Sequence, residues 1–341
     1  MKKIFFVTLL SFLGNYVSAQ VAKTDDVKKS LETTNKDTVA WVYGGFINLG
    51  VNEGFLHNWA AGGELVSLTV NSIFSGYVNR LMHGAVWSNN LDLSYGLNYI
   101  YSTGFTPRKT DDRIDFTSKY SKKLDGGDLY ITGLFNFKSQ FTKGYDYSRT
   151  NWDSASTSDF LSPAFFTLAV GAEYRKGSNL SIFLSPIAGR YIIADKYYTS
   201  MSPQGAFGVQ YNKTSEMQFG AYFSGRYTAN LSKRTTFRTR LDLYSNYIAK
   251  DVKDSTGKVV KKDNPGNIDI LFDNLFTWKA TKFLNITLGA TFMYDNDIPY
   301  DNTYKDNTGA VVKKTSKEDP GVGLGWAQIK QIFNIGLEYK F

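Results

Sequence analysis

Apolar and polar residues alternate along most of the chain. Between Leu91 and Tyr99, leucine and tyrosine occupy every odd position, whereas aspartate, serine, glycine and asparagine occupy the even ones. The segment from Leu284 to Tyr294 repeats the pattern, with apolar residues at every even position. A period of two is typical of a β-strand that has one apolar and one polar face. The pattern therefore predicts an all-β protein with long strands.

Applied to the whole chain, the pattern predicts twelve strands, with ten and fourteen as the alternatives. The strands cover residues 40–51, 64–78, 84–101, 113–122, 128–142, 163–175, 179–193, 215–231, 234–249, 266–278, 282–295 and 326–341. Tight turns alternate strictly with longer loops, and the loops cover residues 52–63, 102–112, 143–162, 194–214, 250–265 and 296–325.

This alternation is typical of a transmembrane antiparallel up-and-down β-barrel, with short periplasmic turns and long extracellular loops. A secreted sandwich is the alternative, but it requires neither such long strands nor all long loops at one end. A closed barrel also leaves no sheet edge unpaired in lipid. Tryptophans lie at or near predicted strand ends, where an aromatic girdle is expected. They are Trp41, Trp59, Trp87, Trp278 and Trp326.

The N-terminal residues 1–19 have the layout of a secretory signal peptide. Two lysines precede an apolar run at 4–13, and the small residues 17–19 form a cleavage site. A transmembrane anchor is the alternative, but a spanning helix needs about 20 apolar residues. Residues 20–39 are polar and aperiodic, which predicts a disordered periplasmic tail. The barrel is expected to occupy 40–341.

Composition narrows the class of protein further. The chain has 25 Phe, 23 Tyr and no Cys, so no disulfide framework stabilises it. Its formal net charge is +8, without the concentrated basic runs of a nucleic-acid binder. We expect a location in the cell outer membrane of a Gram-negative bacterium. The expected partners are outer-membrane lipid, including lipopolysaccharide, and the barrel-assembly machinery.

If apolar residues face lipid, the alternate positions line the lumen. The principal lumen-lining candidates are Lys138, Arg226, Arg238, Arg240, Asp242, Asp269, Asp273, Lys330 and Glu338. Basic and acidic residues are nearly balanced there, which fits either a weakly selective channel or a lumen closed by ion pairs. Arg238 and Arg240 lie on the strand next to the one that carries Asp269 and Asp273. This placement predicts a cross-strand charge network.

Two loops carry nearly the same sequence, KDSTGKVVKK at 253–262 and KDNTGAVVKK at 305–314. Each has a Thr-Gly turn followed by a Val-Val pair, which predicts two protruding hairpins. One interpretation is a shared binding face. The other is similar turn chemistry on two ribbons, with lysine pairs that neutralise lipid phosphates.

Catalytic and metal-binding patterns are weak. The chain has only His57 and His83, which share no local motif, and without cysteine a zinc site is not indicated. The acidic loop 294–307 lacks the glycine and terminal glutamate of a calcium-binding EF-hand. We therefore expect no catalytic residue, no cofactor and no metal, and we do not expect an enzyme.

Several motifs go beyond strand patterning. They are HNWAAGGE (57–64), RKTDDRIDFTSKY (108–120), KSQFTKGYDY (138–147), SDFLSPAF (158–165), LSPIAGRY (184–191), GAFGV (205–209) and LDLYSNY (241–247). Together they resemble a family of Bacteroidetes-type bacteria, the domain of unknown function 3078, over about 40–295. The resemblance implies an outer-membrane barrel and brings no established activity. Pro186 suits an edge, a bulge or a strand end, and GAFGV is expected to fold inward as a constriction.

The last strand has Tyr339 and Phe341 on its predicted lipid face, and these residues resemble a barrel-assembly signal. The strand is expected to close the barrel against the first strand. Taken together, the sequence predicts an outer-membrane β-barrel that is a passive channel or small-solute porin. The alternative is a non-conducting barrel that serves as a membrane anchor or docking partner of a surface or secretion assembly. A lipid-modifying enzyme is a third alternative.

Overall fold

The computed structural model describes most of the predicted barrel. The described residues are 40–55, 65–124, 127–147, 151–177, 179–254, 256–281, 283–295, 297, 303–305, 310–313 and 328–340. The predicted signal peptide at 1–19 and the tail at 20–39 lie outside them, as do His57 and Phe341. For Glu338 and Lys340, only the backbone belongs to the described part.

Twelve long strands of the described residues form a closed antiparallel barrel. They are β1 (Ala40–Phe55), β2 (Val66–Met82), β3 (Ala85–Ile100), β4 (Arg108–Lys123), β5 (Leu129–Ser139), β6 (Ala164–Lys176), β7 (Leu180–Ile193), β8 (Ser215–Asn230), β9 (Thr235–Asn246), β10 (Asp269–Lys279), β11 (Leu284–Tyr294) and β12 (Gln328–Lys340). Each strand pairs with its neighbours in sequence, and β12 returns to β1. The prediction of twelve strands in an up-and-down barrel is confirmed.

The two ends of the barrel differ in their connections. Tight turns such as His83–Gly84 join strands at one end, which we call the turn end. Gly84 has a φ of 66°, a backbone conformation that favours glycine. The longer connections lie at the opposite end, the loop end. They carry a short helix, α1 (Lys196–Thr199), and three two-stranded hairpins.

The repeated loop sequences form the two predicted hairpins. Val252–Lys253 pairs with Val259–Lys261, and Gly257 takes a φ of 83° in the turn between them. Thr303–Lys305 pairs with Val311–Lys313 in the second copy. The predicted hairpins are therefore confirmed, whereas the shared binding face stays a prediction.

The outer surface of the barrel is apolar. Leu168, Ile187 and Leu337 are 59–64% exposed, although they are large apolar residues in the middle of long strands. At the turn end the outward residues become aromatic: Trp41, Trp87, Tyr120, Trp278 and Tyr339 are all exposed. An apolar band bordered by amphipathic aromatic rings is the surface of a barrel in a lipid bilayer. Among the described residues, no helix is long and apolar enough to cross a membrane.

The closing seam between β1 and β12 is short. Phe46–Gly50 faces Gly336–Lys340 over five register pairs, whereas β1 pairs with β2 along its whole length. Three buried asparagines reinforce the seam: Asn334 donates to Asn48 at 2.5 Å, and Asn48 donates to Asn285 at 2.7 Å. A Cβ at Gly50 would lie 1.6 Å from the Asn334 carboxamide oxygen, so glycine makes room for this chain of amides.

A bulge interrupts β7 at Pro186. The register of β7 shifts by one residue against both neighbours, between Val170 and Ala172 on β6 and between Gly220 and Tyr222 on β8. The Ser185 hydroxyl lies 2.8 Å from the Val170 carbonyl oxygen and 2.7 Å from that of Ile187, so it can donate to either one at the bulge. Proline has no N–H to donate, which restricts it to such positions. The predicted role of Pro186 at an edge, bulge or strand end is confirmed, as a bulge.

Candidate functional site

The lumen is lined by polar and charged side chains. Because side chains alternate across a strand, the polar face of each strand points inward once the apolar face meets lipid. Three carboxylates are withdrawn into the wall: Glu173, Asp115 and Asp242 are at most 5% exposed. Such groups are tolerated only when they are paired and hydrogen-bonded. Their partners therefore determine the shape of the lumen.

Glu173, on β6 near the turn end, is the centre of the first charged cluster. Five donors surround its carboxylate: Lys119 at 2.5 Å, Arg175 at 2.9 Å, Ser121 at 2.8 Å, Thr132 at 2.9 Å and Ser181 at 2.6 Å. These residues come from β4, β5, β6 and β7, so one carboxylate joins four consecutive strands. We call this set the Glu173 cluster.

Arg240 is the centre of a second set, which crosses the lumen. From β9 it contacts Asp115 of β4 at 2.7 Å and Asp242 of its own strand at 2.5 Å. Lys138 of β5 also reaches Asp242, at 3.4 Å. Asn136 and Ser224 donate to Asp115 and Asp242 at 2.7 and 2.8 Å. Because β4 and β9 are five strands apart around the twelve, these contacts bridge nearly opposite walls.

Two further ion pairs span the lumen on the loop side of Arg240. Arg113 of β4 contacts Asp273 of β10 at 3.3 Å, between strands that lie diametrically opposite in the barrel. Lys330 of β12 contacts Asp111 of β4 at 2.8 Å. We call these pairs, together with the Arg240 set, the ion-pair layer. It narrows the lumen at mid-height.

The predicted pairing of Arg238 and Arg240 with Asp269 and Asp273 is wrong. Arg240 and Asp273 are direct partners in the β9–β10 register, yet their charged groups pair elsewhere. Asp269 instead receives Arg190 of β7 at 2.6 Å. Inside a barrel, long side chains reach across the curved wall toward buried carboxylates, so backbone register does not decide the partner. Arg238 lies over the ring of Phe46, with its guanidinium carbon 5.3 Å from the ring centroid.

A cavity of about 600 Å³ occupies the turn-end half of the lumen. Its lining runs from Asn79 and Asn179, near the turns, to Asp111 and Lys330 of the ion-pair layer. Among the described residues, seven basic but only three acidic side chains line it. The nearly balanced charge predicted for the lumen therefore divides in space: Asp115, Glu173 and Asp242 are buried, and the cavity surface is mainly basic.

The structure places the remaining predicted lining residues as follows. Arg226 and Arg238 line the cavity on its turn side, and Lys138 and Asp242 lie in the ion-pair layer. Asp269 lies at the loop end with Arg190. The sequence pattern missed Asp111, Arg113 and Arg190. The first two fell at or before the expected start of β4, and the Pro186 bulge inverts the alternation that would have indicated Arg190.

A second charged group closes part of the loop end. The Asp297 carboxylate accepts from Gln218 of β8 at 2.9 Å and from Lys261 of the first repeated hairpin. The Asp297 backbone N–H donates to Asp295 at 2.7 Å. Burial of Asp295, just beyond β11, together with the negative charges of Asp269 and Asp297, raises the pKa of its carboxyl to about 8. This carboxyl is therefore protonated at neutral pH.

We expect the loop end to loosen as the pH rises. The folded pKa of Asp295 exceeds the value near 4 of an unfolded aspartate, so its stabilising effect is complete below pH 4 and is lost through pH 8. The loss is at most about 1.4 kcal/mol per pH unit over that window. Amide hydrogen exchange of 295–297, measured from pH 5 to 9, reports it. Asp295→Asn should flatten the profile and Asp153→Asn, an exposed control, should not; equal profiles for Asp295→Asn and the native chain contradict the prediction.

The GAFGV segment lies over the inward face of β7. Ala206 and Val209 form a β-bridge, and Val209 packs against Ile192, which is buried on the lumen side. Gly208 has a φ of 83°, and a Cβ there would lie 2.6 Å from an Asp297 carboxylate oxygen. The segment therefore folds inward at the loop end; that it constricts a pore is still a prediction.

Of the two histidines considered for catalysis or metal binding, His83 belongs to the described residues and His57 does not. His83 lies in the exposed β2–β3 turn. Within the described ranges, no three His, Asp or Glu side chains are grouped so that they could hold a metal ion.

The comparison with protein families concerns the segment that supplies much of the ion-pair layer. The model of a protein family of unknown function (DUF3078) matches residues 51–145. This match confirms the predicted resemblance. It extends from β1 to the loop after β5, a shorter stretch than the expected 40–295. The matched residues include Asp111, Arg113, Asp115 and Lys119 of β4, and Lys138 of β5.

A search of curated proteins finds no match. Among solved structures, the translocator domain of the autotransporter NalP from Neisseria meningitidis is 10% identical, with a TM-score of 0.36 and coverage of 93% of this chain and 95% of that one. An outer membrane channel from Pseudomonas putida F1 is 11% identical, with a TM-score of 0.35 and coverage of 89% and 95%. OmpT, an outer membrane protein of Vibrio cholerae, is 10% identical, with a TM-score of 0.30 and coverage of 90% and 98%. Such low identities and TM-scores identify neither a solute nor a partner.

Proposed function

We propose that this protein is an outer-membrane β-barrel that acts as a narrow passive channel for small solutes. The observation that carries the proposal is the cavity of about 600 Å³, which extends from the turn end to the ion-pair layer. A barrel that serves only as a scaffold has no need of an open, charged volume inside it. The apolar outer surface and the aromatic girdle support a location in the outer membrane, where such barrels span the bilayer.

The ion-pair layer sets the expected size limit of the channel. Barrels of eight strands are filled by side chains, whereas those of 16 leave an aqueous channel. In this twelve-stranded barrel, Arg113–Asp273 and Arg240–Asp115 cross between facing walls. We expect the lumen beside these pairs to pass ions and small molecules rather than large ones. We therefore expect a conductance well below that of a wide, water-filled porin.

Conductance of the purified full-length barrel in a planar lipid bilayer tests this proposal. The expected result is a small, reproducible unit current in potassium chloride that grows with salt concentration. The absence of unit currents at every voltage would overturn it. Two controls are used. One is a lipid bilayer that receives detergent without protein, and the other is a preparation that was heated to unfold the barrel.

The second candidate function is a non-conducting barrel that anchors or docks a surface or secretion assembly. The crossing ion pairs favour it, because they are also the contacts that would seal a lumen. The same bilayer measurement separates the two, since only the channel carries current while both retain the heat-sensitive mobility of a folded barrel in gel electrophoresis.

A further inference from the structure

Three arginines lie next to one another on the inner faces of β8 and β9. Arg226 and Arg240 are direct cross-strand partners, and Arg238 is the neighbour of Arg240 on the turn side. Like charges at opposing positions destabilise a sheet. Their repulsion must therefore be offset by negative charge close by.

The carboxylates nearest to these arginines contact Arg240, although the charge of Arg226 also acts on Asp115 and Asp242 at longer range. Asp115 and Asp242 both contact Arg240, and Lys138 shares Asp242. Arg226 and Arg238 have no carboxylate within 4.0 Å among the described residues. Arg226 donates only to the Thr117 hydroxyl, at 3.4 Å, and its buried Nε has no hydrogen-bond partner there. Arg238 contacts the Phe46 ring, which accepts none of the guanidinium N–H donors in a normal hydrogen bond.

Other charged residues at the turn end of the cavity add to the excess of positive charge. Lys119 and Arg175 share the single carboxylate of Glu173. Arg226 and Arg175 both lie close enough to Lys119 for their charges to interact. The one cavity-lining carboxylate of the described residues without an ion pair is Asp92. Asp92 lies on β3, diametrically opposite β9 in the barrel. Its carboxylate accepts a hydrogen bond from the Ser75 hydroxyl at 2.6 Å.

We propose that Arg226 and Arg238 form a binding site for a small, multiply charged oxyanion, a phosphate or a di- or tricarboxylate, in the turn-end cavity. A guanidinium group presents paired N–H donors that match the two oxygens of a carboxylate or phosphate. Arg238 is positioned by the Phe46 ring and Arg226 by the Thr117 hydroxyl. Because they lie on adjacent strands, the two guanidinium groups can bind one anion from two sides. The cavity of about 600 Å³ has room for an ion of this size with water around it.

This proposal names the solute class of the proposed channel and so rests on it, yet occupation of the site can be measured whether or not the barrel conducts. The experiment is isothermal titration of the purified full-length barrel, in an uncharged detergent without lipid, with inorganic phosphate and separately with citrate. Lipid-free conditions ensure that binding reports the free anion rather than a lipid headgroup. Chloride at equal ionic strength is the monovalent control.

We expect saturable binding of at least one of the two anions by the native barrel. Arg226→Gln with Arg238→Gln should weaken it by roughly tenfold for each arginine removed. The matched control is Arg80→Gln with Arg108→Gln. It also removes two arginines that lie over aromatic rings and have a buried, unpartnered Nε, but neither lines the cavity. Binding by this control should equal that of the native barrel.

The outcomes are distinct from those of the channel test. Binding without unit currents would support the anion site and overturn the channel. Unit currents without saturable binding of phosphate or citrate would leave the channel standing and overturn the site, as would equal binding by the native barrel and the Arg226→Gln, Arg238→Gln variant. If the double variant fails to fold, Arg238→Gln alone replaces it, because this side chain is exposed to the cavity and makes only the ring contact.

Discussion

Replacing Glu173 by alanine is expected to destabilise the barrel by about 3–5 kcal/mol, because it leaves buried partners without their counter-charge. Lys119 and Arg175 would then repel each other in the wall, and three hydroxyl groups would lose an acceptor. Replacing a partner of a buried pair costs far more than replacing an exposed charge. The denaturant midpoint of the detergent-solubilised barrel measures the loss.

Two further variants make the Glu173 test specific. Glu173→Gln keeps one acceptor oxygen and the side-chain volume, so its loss should fall between those of the native chain and alanine. Glu53→Ala removes an exposed glutamate from β1 and should leave the midpoint unchanged. If Glu173→Ala unfolds at the same denaturant concentration as Glu53→Ala, the Glu173 cluster does not stabilise the wall.

Arg240→Ala is expected to widen the lumen and to weaken the barrel at the same time. The substitution removes the side chain that bridges β9 and β4, and it leaves Asp115 buried beside Asn136 without a cation in contact. We expect a loss of about 3 kcal/mol in unfolding free energy. Unit conductance in a planar bilayer should rise several-fold, since the bridge across the lumen is gone.

A double variant separates the two effects of Arg240. Adding Asp115→Asn to Arg240→Ala removes the orphaned carboxylate, whereas Asp242 keeps its contact with Lys138, so stability should recover while the conductance stays high. Arg234→Ala, in the exposed β8–β9 turn, is the matched control and should change neither quantity. A conductance of Arg240→Ala equal to that of the native barrel would show that the ion-pair layer does not limit flow.

The barrel itself could be predicted from the sequence because its determinants are local. A period of two identifies each strand, and the alternation of short and long connections identifies the two ends. The same patterning indicated that Arg226, Arg238 and Asp242 would point away from lipid. None of this requires knowledge of which strands face each other across the barrel.

The contacts inside the lumen could not be predicted in this way. Asp115 and Arg240 are 125 residues apart in sequence, and Arg113 and Asp273 are 160 apart. Their meeting depends on the curvature and strand tilt of the closed barrel, which the alternation of side chains does not encode. The Pro186 bulge likewise inverts the inward positions of β7 and so concealed Arg190. Which acidic side chains are buried depends on the three-dimensional structure. A count of the charges at inward positions therefore indicated a nearly neutral lumen, whereas the cavity surface is mainly basic.

The short β1–β12 seam has a mechanical consequence. A cylinder of hydrogen-bonded strands resists circumferential stretching only as well as its weakest junction, and among the described residues this junction has five register pairs. The last five residues of β1 at the loop end, Val51–Phe55, pair with β2 but not with β12. Lateral tension in the bilayer would therefore part the wall along this line first. The hydrogen bonds among Asn334, Asn48 and Asn285 lie where the paired part of the seam begins, so they would oppose further separation of the two strands.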